Sequence, residues 1–250
     1  MKIIIKRICA YFIDILLVSL VSTFISSNSY MNNDYKKYEK VYKNYNEQHE
    51  LYYEYYTKLE KYYEDNEISE KEYKKILKLD NEYTKDLVVH YEDKKITNKE
   101  YKKIVNKLKE QYSKKETDYS YKLLKYSIMP TIINIMCILL YFVVFQFYFK
   151  GQTLGKKAMK LRVFSNNEKP LTIINFFIRS LIVNEVFINI LNIIFLIVLS
   201  KDNFILYNQI IYIVIYMLEM TIISTILFDK NNRGIHDYIS NTKVIEEKGE

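Results

Sequence analysis

Four apolar runs, Ile8 to Ser26, Ser127 to Phe149, Leu171 to Ser200 and Phe204 to Phe228, decide what this chain can become. A helix that crosses the hydrocarbon of a bilayer needs about 20 predominantly apolar residues. A soluble bundle could bury one such helix, but four within 250 residues would leave no polar shell. The mean hydropathy near zero therefore averages two opposites, a membrane part and a strongly hydrophilic middle. The expected fold class is all-α: a polytopic membrane protein with four transmembrane helices and an extramembrane helical-hairpin, coiled-coil-like segment. The third run carries Arg179. Its first turns are expected to lie along the interface, with the span proper starting near Leu181.

Three parts follow along the chain: a first span in residues 1–29, a hydrophilic segment in 30–126, and three further spans in 127–246. The N-terminus resembles a signal peptide in having Lys2, Lys6 and Arg7 before an apolar run. Asp14 in the middle of that run, and the absence of a small-x-small site after it, argue for a retained span. Lysines and arginines of short flanks set orientation. Residues 150–169 hold six of them, the tail holds Lys230, Arg233, Lys243 and Lys248, and the short loop at Lys201 holds one. Both termini are thus expected on the cytoplasmic side of a plasma membrane, with the hydrophilic segment outside. The net charge of +7 suits an anionic inner leaflet. Nucleic acid is not an expected partner, because the basic patch is small and sits at the membrane.

The hydrophilic segment is nearly neutral. Residues 31 to 125 contain 22 Lys against 20 Asp and Glu, with no Gly or Pro to break a helix. Residues 64–77 repeat in 92–105, an offset of 28 residues or four heptads. Each copy carries a capping box, Ser69 with Glu72 and Thr97 with Glu100. Helices are predicted at 31–64, 70–91 and 98–126, folded back on one another. The segment's many tyrosines have two readings. They supply packing area in a thin hairpin, or they form a contact surface for a protein or cell-envelope polymer.

Polar residues inside spans mark sites by default, because lipid charges heavily for them. Asp14 lies seven residues after Arg7 and on the same helical face, about 10 Å away along the axis. Glu185 forms a stripe with Asn189 and Asn192, and Glu219 shares a face with Asn208 and Tyr212. In the expected topology Asp14, Glu185 and Glu219 fall in one half of the bilayer. Arg7, Arg179, Arg233, His236 and Asp237 fall at the same end. In each case the plainer reading is a structural ion pair or an interhelical hydrogen bond. The four arginines stand out among 37 basic residues, the rest being lysine. The guanidinium fork holds a carboxylate in a way an ammonium does not.

Other chemistry is thinly represented. Cys9 and Cys137 fall within spans and give no disulfide framework. Gly151 to Val163 lacks the spacing of a phosphate loop, and its apolar residues alternate with basic ones as in a short helix on the membrane surface. No metal-ligand spacing, cofactor motif or catalytic triad stands in the sequence, so an enzyme is not expected.

Arg7 to Asp14, Gly151 to Val163, Arg179 and Arg233 to Ile245 together resemble the RDD family of small integral membrane proteins. The Arg and two Asp of the family's name map onto Arg7, Asp14 and Asp237. Ser240 and Asn241 stand where the family has a small Ala-Gly pair, and Lys160 stands where Gly is common. The resemblance covers 3–29 and 127–246 but not the hydrophilic segment between them. It implies a bacterial or archaeal inner-membrane protein with a transport role, cation/proton exchange included. On that basis Asp14 would bind a monovalent cation or proton, with Glu185 or Glu219 as second carboxylate. Arg7 would tune Asp14, Asp237 would latch Arg7 or Arg179, and His236 could titrate near neutral pH. A homo-oligomer is expected, since four spans alone make a thin pathway. The rival expectation is a non-enzymatic anchor or scaffold whose outer helices bind a protein or envelope partner.

Overall fold

The computed structural model describes residues 3–28, 34–65, 98–167 and 169–247. The chain divides into two compact units, one of residues 1–35 with 125–250, the other of residues 36–124. The predicted helix 70–91, the internal repeat at 64–77 and both capping boxes lie outside the described residues in whole or in part.

The hydrophilic unit contains α2 (Tyr35–Asp65) and α3 (Asn98–Tyr126), close to the predicted 31–64 and 98–126. Absence of Gly and Pro lets both run for seven turns or more. They pair antiparallel through aromatic contacts. Tyr45 donates to Glu116 at 3.2 Å and packs edge-on to Tyr119, and one turn on His49 meets Tyr112. Tyrosine thus supplies packing where aliphatic residues are sparse, while Tyr42 and Tyr53 face outward.

The apolar unit is a membrane unit and has, among its described residues, three helices long and apolar enough to span, or four if a bent pair counts as one. The first is α1 (Ile3–Ser26). The second begins as α4 (Ile128–Leu139), widens into a π-helical stretch at Leu140–Phe145 and closes with Gln146–Tyr148. The third run is broken into α6 (Ile173–Val183) and α7 (Val186–Val198), bent by 62°. The break falls at Asn184 and Glu185, where Glu185 takes a left-handed conformation at φ 53°. Glu185 therefore stands outside the helix that bears Asn189 and Asn192, so the predicted stripe does not continue through it. The last span is α8 (Lys201–Phe228), whose first turn absorbs the expected loop at Lys201.

Between the spans lie short elements that the helical reading missed. A five-residue helix, α5 (Leu154–Ala158), leads into β1 (Leu161–Ser165). After α9 (Ile235–Ile239) comes β2 (Thr242–Glu246). The strands pair antiparallel in the register Leu161 to Glu246, Val163 to Val244 and Ser165 to Thr242. The surface helix expected over Gly151 to Val163 is thus confined to α5. Leu161 and Val163 are two apart and both fully buried, which is strand periodicity.

Two apolar cores hold this unit. Ala10, Val143, Leu161, Val163, Phe176 and Val244 join α1 and α6 to the small sheet. Val18, Ile135, Ile138, Phe142 and Val186 join the spans deeper in. The sheet's core directly underlies the polar residues described next.

Candidate functional site

Two carboxylates, each with no exposed surface, organise the polar end of the membrane unit. Asp14 is on α1. Its Oδ1 accepts from the Tyr141 hydroxyl at 2.6 Å and the Gly155 N–H at 2.7 Å, and its Oδ2 accepts from Thr153 Oγ1 at 2.5 Å. Lys156 Nζ lies 3.9 Å from the same Oδ2. Thr153 caps α5, so the carboxylate rests on the start of that helix. Gly155 is required by the approach: a Cβ there would sit 2.1 Å from the Ala10 carbonyl oxygen and 2.8 Å from Asp14 Oδ1.

Asp237, on α9, gathers the arginines. Its Oδ2 accepts from Arg7 Nη2 at 2.7 Å and the Gly234 N–H at 3.0 Å. Its Oδ1 accepts from Arg179 Nη1 and, at 3.3 Å, from Thr242 Oγ1. Arg7 also reaches the Asn232 carbonyl and lies 3.3 Å from His236 Nε2. Arg233 does not join the carboxylate. It donates to the backbone carbonyls of Thr242 and Asp237 and lies over the Tyr238 ring at 4.0 Å, which fixes the tail's turn.

Charge states follow from this crowding. Burial alone would raise the Asp237 carboxyl, but Arg179 and Arg7 outweigh it and hold the group well below the usual carboxylate range. Burial, with Arg179 next, pushes His236 down to about 3. His236 is therefore neutral at pH 7 and does not titrate there, contrary to the sequence expectation. His236 Nε2 lies between Arg7 Nη2 at 3.3 Å and Asp237 Oδ2 at 3.4 Å, and Nδ1 has no partner among the described residues. Burial, then Arg179, lowers Lys156 to about 7, with Asp14 opposing.

A cavity of about 470 Å³ opens beside this cluster. Arg7, Lys156, Arg179 and His236 line it at one end, and Glu185 and Glu219 line it further in. The two glutamates come within hydrogen-bonding reach of each other. Beside them Asn184 donates Nδ2–H to Ser180 Oγ at 2.9 Å, while its buried Oδ1 has no partner among the described residues.

The structure thus divides the sequence-derived residues into three groups. Arg7, Arg179, His236 and Asp237 converge, with Arg233 behind them. Glu185 and Glu219 meet each other. Asp14 stands apart, on α5. Arg7 and Asp14 share a face of α1, yet two helical turns of rise keep their heads separate, and Arg7 is drawn to Asp237 instead. Asp14 does not line the cavity, and its oxygens are taken by three donors, so it is a poor ion ligand here. Sequence reasoning overlooked Thr153, Tyr141, Lys156 and Asn184. Thr153 and Lys156 become visible only when α5 folds back onto α1, and Tyr141 only when the second span packs beside α1.

The RDD family model matches residues 104–241, more than half of the chain. The match takes in Arg179, the small helices and Asp237, and stops short of α1 with Arg7 and Asp14. No curated protein and no solved structure matches. The matched segment holds the spans and the tail that close over Arg7, and the chain belongs to the RDD family of membrane proteins.

Proposed function

We propose that this protein is a small cation/proton exchanger of a bacterial plasma membrane. Both termini lie in the cytoplasm, and Glu185 and Glu219 are the exchanging carboxylates. The observation that carries the reading is their approach at a broken helix, lining a cavity, next to an amide oxygen that has no partner among the described residues. In this reading the pair shares one proton at rest, one carboxyl group donating it to the other. A monovalent cation entering between them would take the oxygens, and the proton would leave. Broken helices in membranes serve this purpose because their freed carbonyl ends favour cations. Asp14 and Asp237 keep the polar end closed and carry no ion. The protein works as a homo-oligomer.

The test is proton flux driven by Na⁺ or K⁺ gradients in proteoliposomes. Wild type should exchange. Glu185→Gln and Glu219→Gln should each abolish it while the protein still folds. Flux that persists in both variants, or is absent from the wild type, would remove the proposal. In the latter case the rival reading gains: an anchor whose α2 and α3 bind a protein or envelope partner, favoured by the outward-facing Tyr42 and Tyr53.

A further inference from the structure

The cationic end of the cavity is unbalanced. Arg7 and Arg179 share one carboxylate, Asp237, and Lys156 has Asp14 at 3.9 Å. At this end three basic heads face the cavity with two carboxylates, both fully buried behind its wall, and Glu185 and Glu219 line the cavity only further in. His236 adds no positive charge. Burial most of all, then Arg179 and Arg7, act to discharge Lys156 against the pull of Asp14 and Asp237. An anion placed among these three heads would relieve that repulsion in a medium of low dielectric.

The rest of the wall says what else such an anion carries. Beyond the charged heads, with Glu185 and Glu219 standing elsewhere in the lining, one side of it is apolar, formed by Ile182, Leu218, Ile222 and Ile226. Three of these stand on α8, whose only fully buried residue is Phe204. The flank of α8 is therefore left to lipid, and the cavity runs along it from the polar end toward the bilayer's middle. A free inorganic anion would gain nothing from that apolar wall. An acyl chain would cover it.

We propose that this cavity is a binding site for an acidic phospholipid, its phosphate held by Arg7, Lys156 and Arg179 and one acyl chain laid against α8. The site goes beyond the exchange reading and stands or falls without it, because binding is measured without flux. Basic pockets between transmembrane helices take anionic head groups for the same electrostatic reason.

The experiment is native mass spectrometry of the full-length chain released from detergent, offered equal amounts of phosphatidylglycerol and phosphatidylcholine of the same chain length. Wild type should retain phosphatidylglycerol preferentially. Lys156→Met keeps the stem and removes one charge, and should weaken that retention about fivefold. Ile222→Trp, which fills the apolar wall, should weaken it as well. Equal retention of the two lipids by wild type would overturn the proposal, and that arm requires no variant to fold. Displacement of the lipid by an equal concentration of inorganic phosphate would overturn it too, by showing that the head-group charge alone is read.

Discussion

Arg7 and Asp237 stand 230 residues apart in sequence and meet at 2.7 Å. One comes from the first span and the other from the short helix after the last, so their ion pair ties the chain's two ends together. Arg179 adds the third span to the same carboxylate. Asp237→Asn would leave two guanidiniums buried with nothing to neutralise them. Breaking a buried pair in this way costs about 3–5 kcal/mol. The expected result is a large drop in melting temperature, or no recoverable folded protein. Arg233→Lys should be far milder, because Arg233 reaches backbone carbonyls and not the carboxylate.

Gly155→Ala should fail for a different reason. Its new Cβ would lie 2.1 Å from a backbone oxygen of α1, and backbone does not yield as a flexible side chain does. Either α5 moves off α1 or the contact stays strained. Moving off breaks the 2.7 Å bond from the Gly155 N–H to Asp14 and uncovers a buried carboxylate. A loss of about 2–3 kcal/mol is expected, within the range for overpacking. Thermal unfolding in detergent measures it. An Ala variant as stable as wild type would mean that α5 does not pack on α1 in this way.

The spans were legible because their signal is local: length and hydropathy need no partner. The pairing of Asp237 with Arg7 and Arg179 could be anticipated, since so few arginines flank the spans. What stayed hidden depends on chain reversal. Leu161 to Ser165 reads as a basic amphipathic stretch until Thr242 to Glu246 is laid beside it, and only then does its two-residue period show. Asp14 suggested an ion site because a lone intramembrane carboxylate does. Its donors, Thr153, Tyr141 and Gly155, lie more than a hundred residues away and give no sign of the contact in sequence. The cavity and the meeting of Glu185 with Glu219 likewise depend on the break at Asn184, where no Gly or Pro announces one.

The left-handed residues give a prediction of opposite sign. Lys160 has φ 55° and Asn241 has φ 52°. Both stand where the family resemblance places glycine, and the backbone explains why: each ends a short helix with a turn that only Gly adopts freely. A lysine there pays about 1 kcal/mol in steric crowding of its Cβ. Lys160 is exposed, so little packing is lost on its removal. Lys160→Gly should raise the melting temperature, by the equivalent of about 1 kcal/mol. Asn241→Gly should gain less, because Asn tolerates this conformation better than Lys. A lower melting temperature for Lys160→Gly would mean that its side chain does more than its backbone suggests.

Stability should climb with pH from about 4 to about 10, on two separate limbs. His236 is held at about 3 when folded and returns to 6.5 when unfolded. Between those values the unfolded chain binds a proton that the folded chain refuses. Stability is therefore lost as pH falls through 6.5, at up to about 1.4 kcal/mol per pH unit. Asp237 has a lowered pKa, so its contribution is full above 3.8 and is lost only at more acid pH, which keeps the two effects apart. Lys156 works above neutrality. It is held at about 7 when folded against 10.5 when unfolded, so stability rises as pH climbs through that window. Melting temperatures of the purified protein at half-unit intervals would show both limbs. His236→Asn should flatten the acid one and leave the alkaline one, and Lys156→Met should do the reverse. If His236→Asn keeps the full slope between pH 4 and 6.5, then the imidazole is not the group that acid must force open. The loss would then have to come from the carboxylates alone.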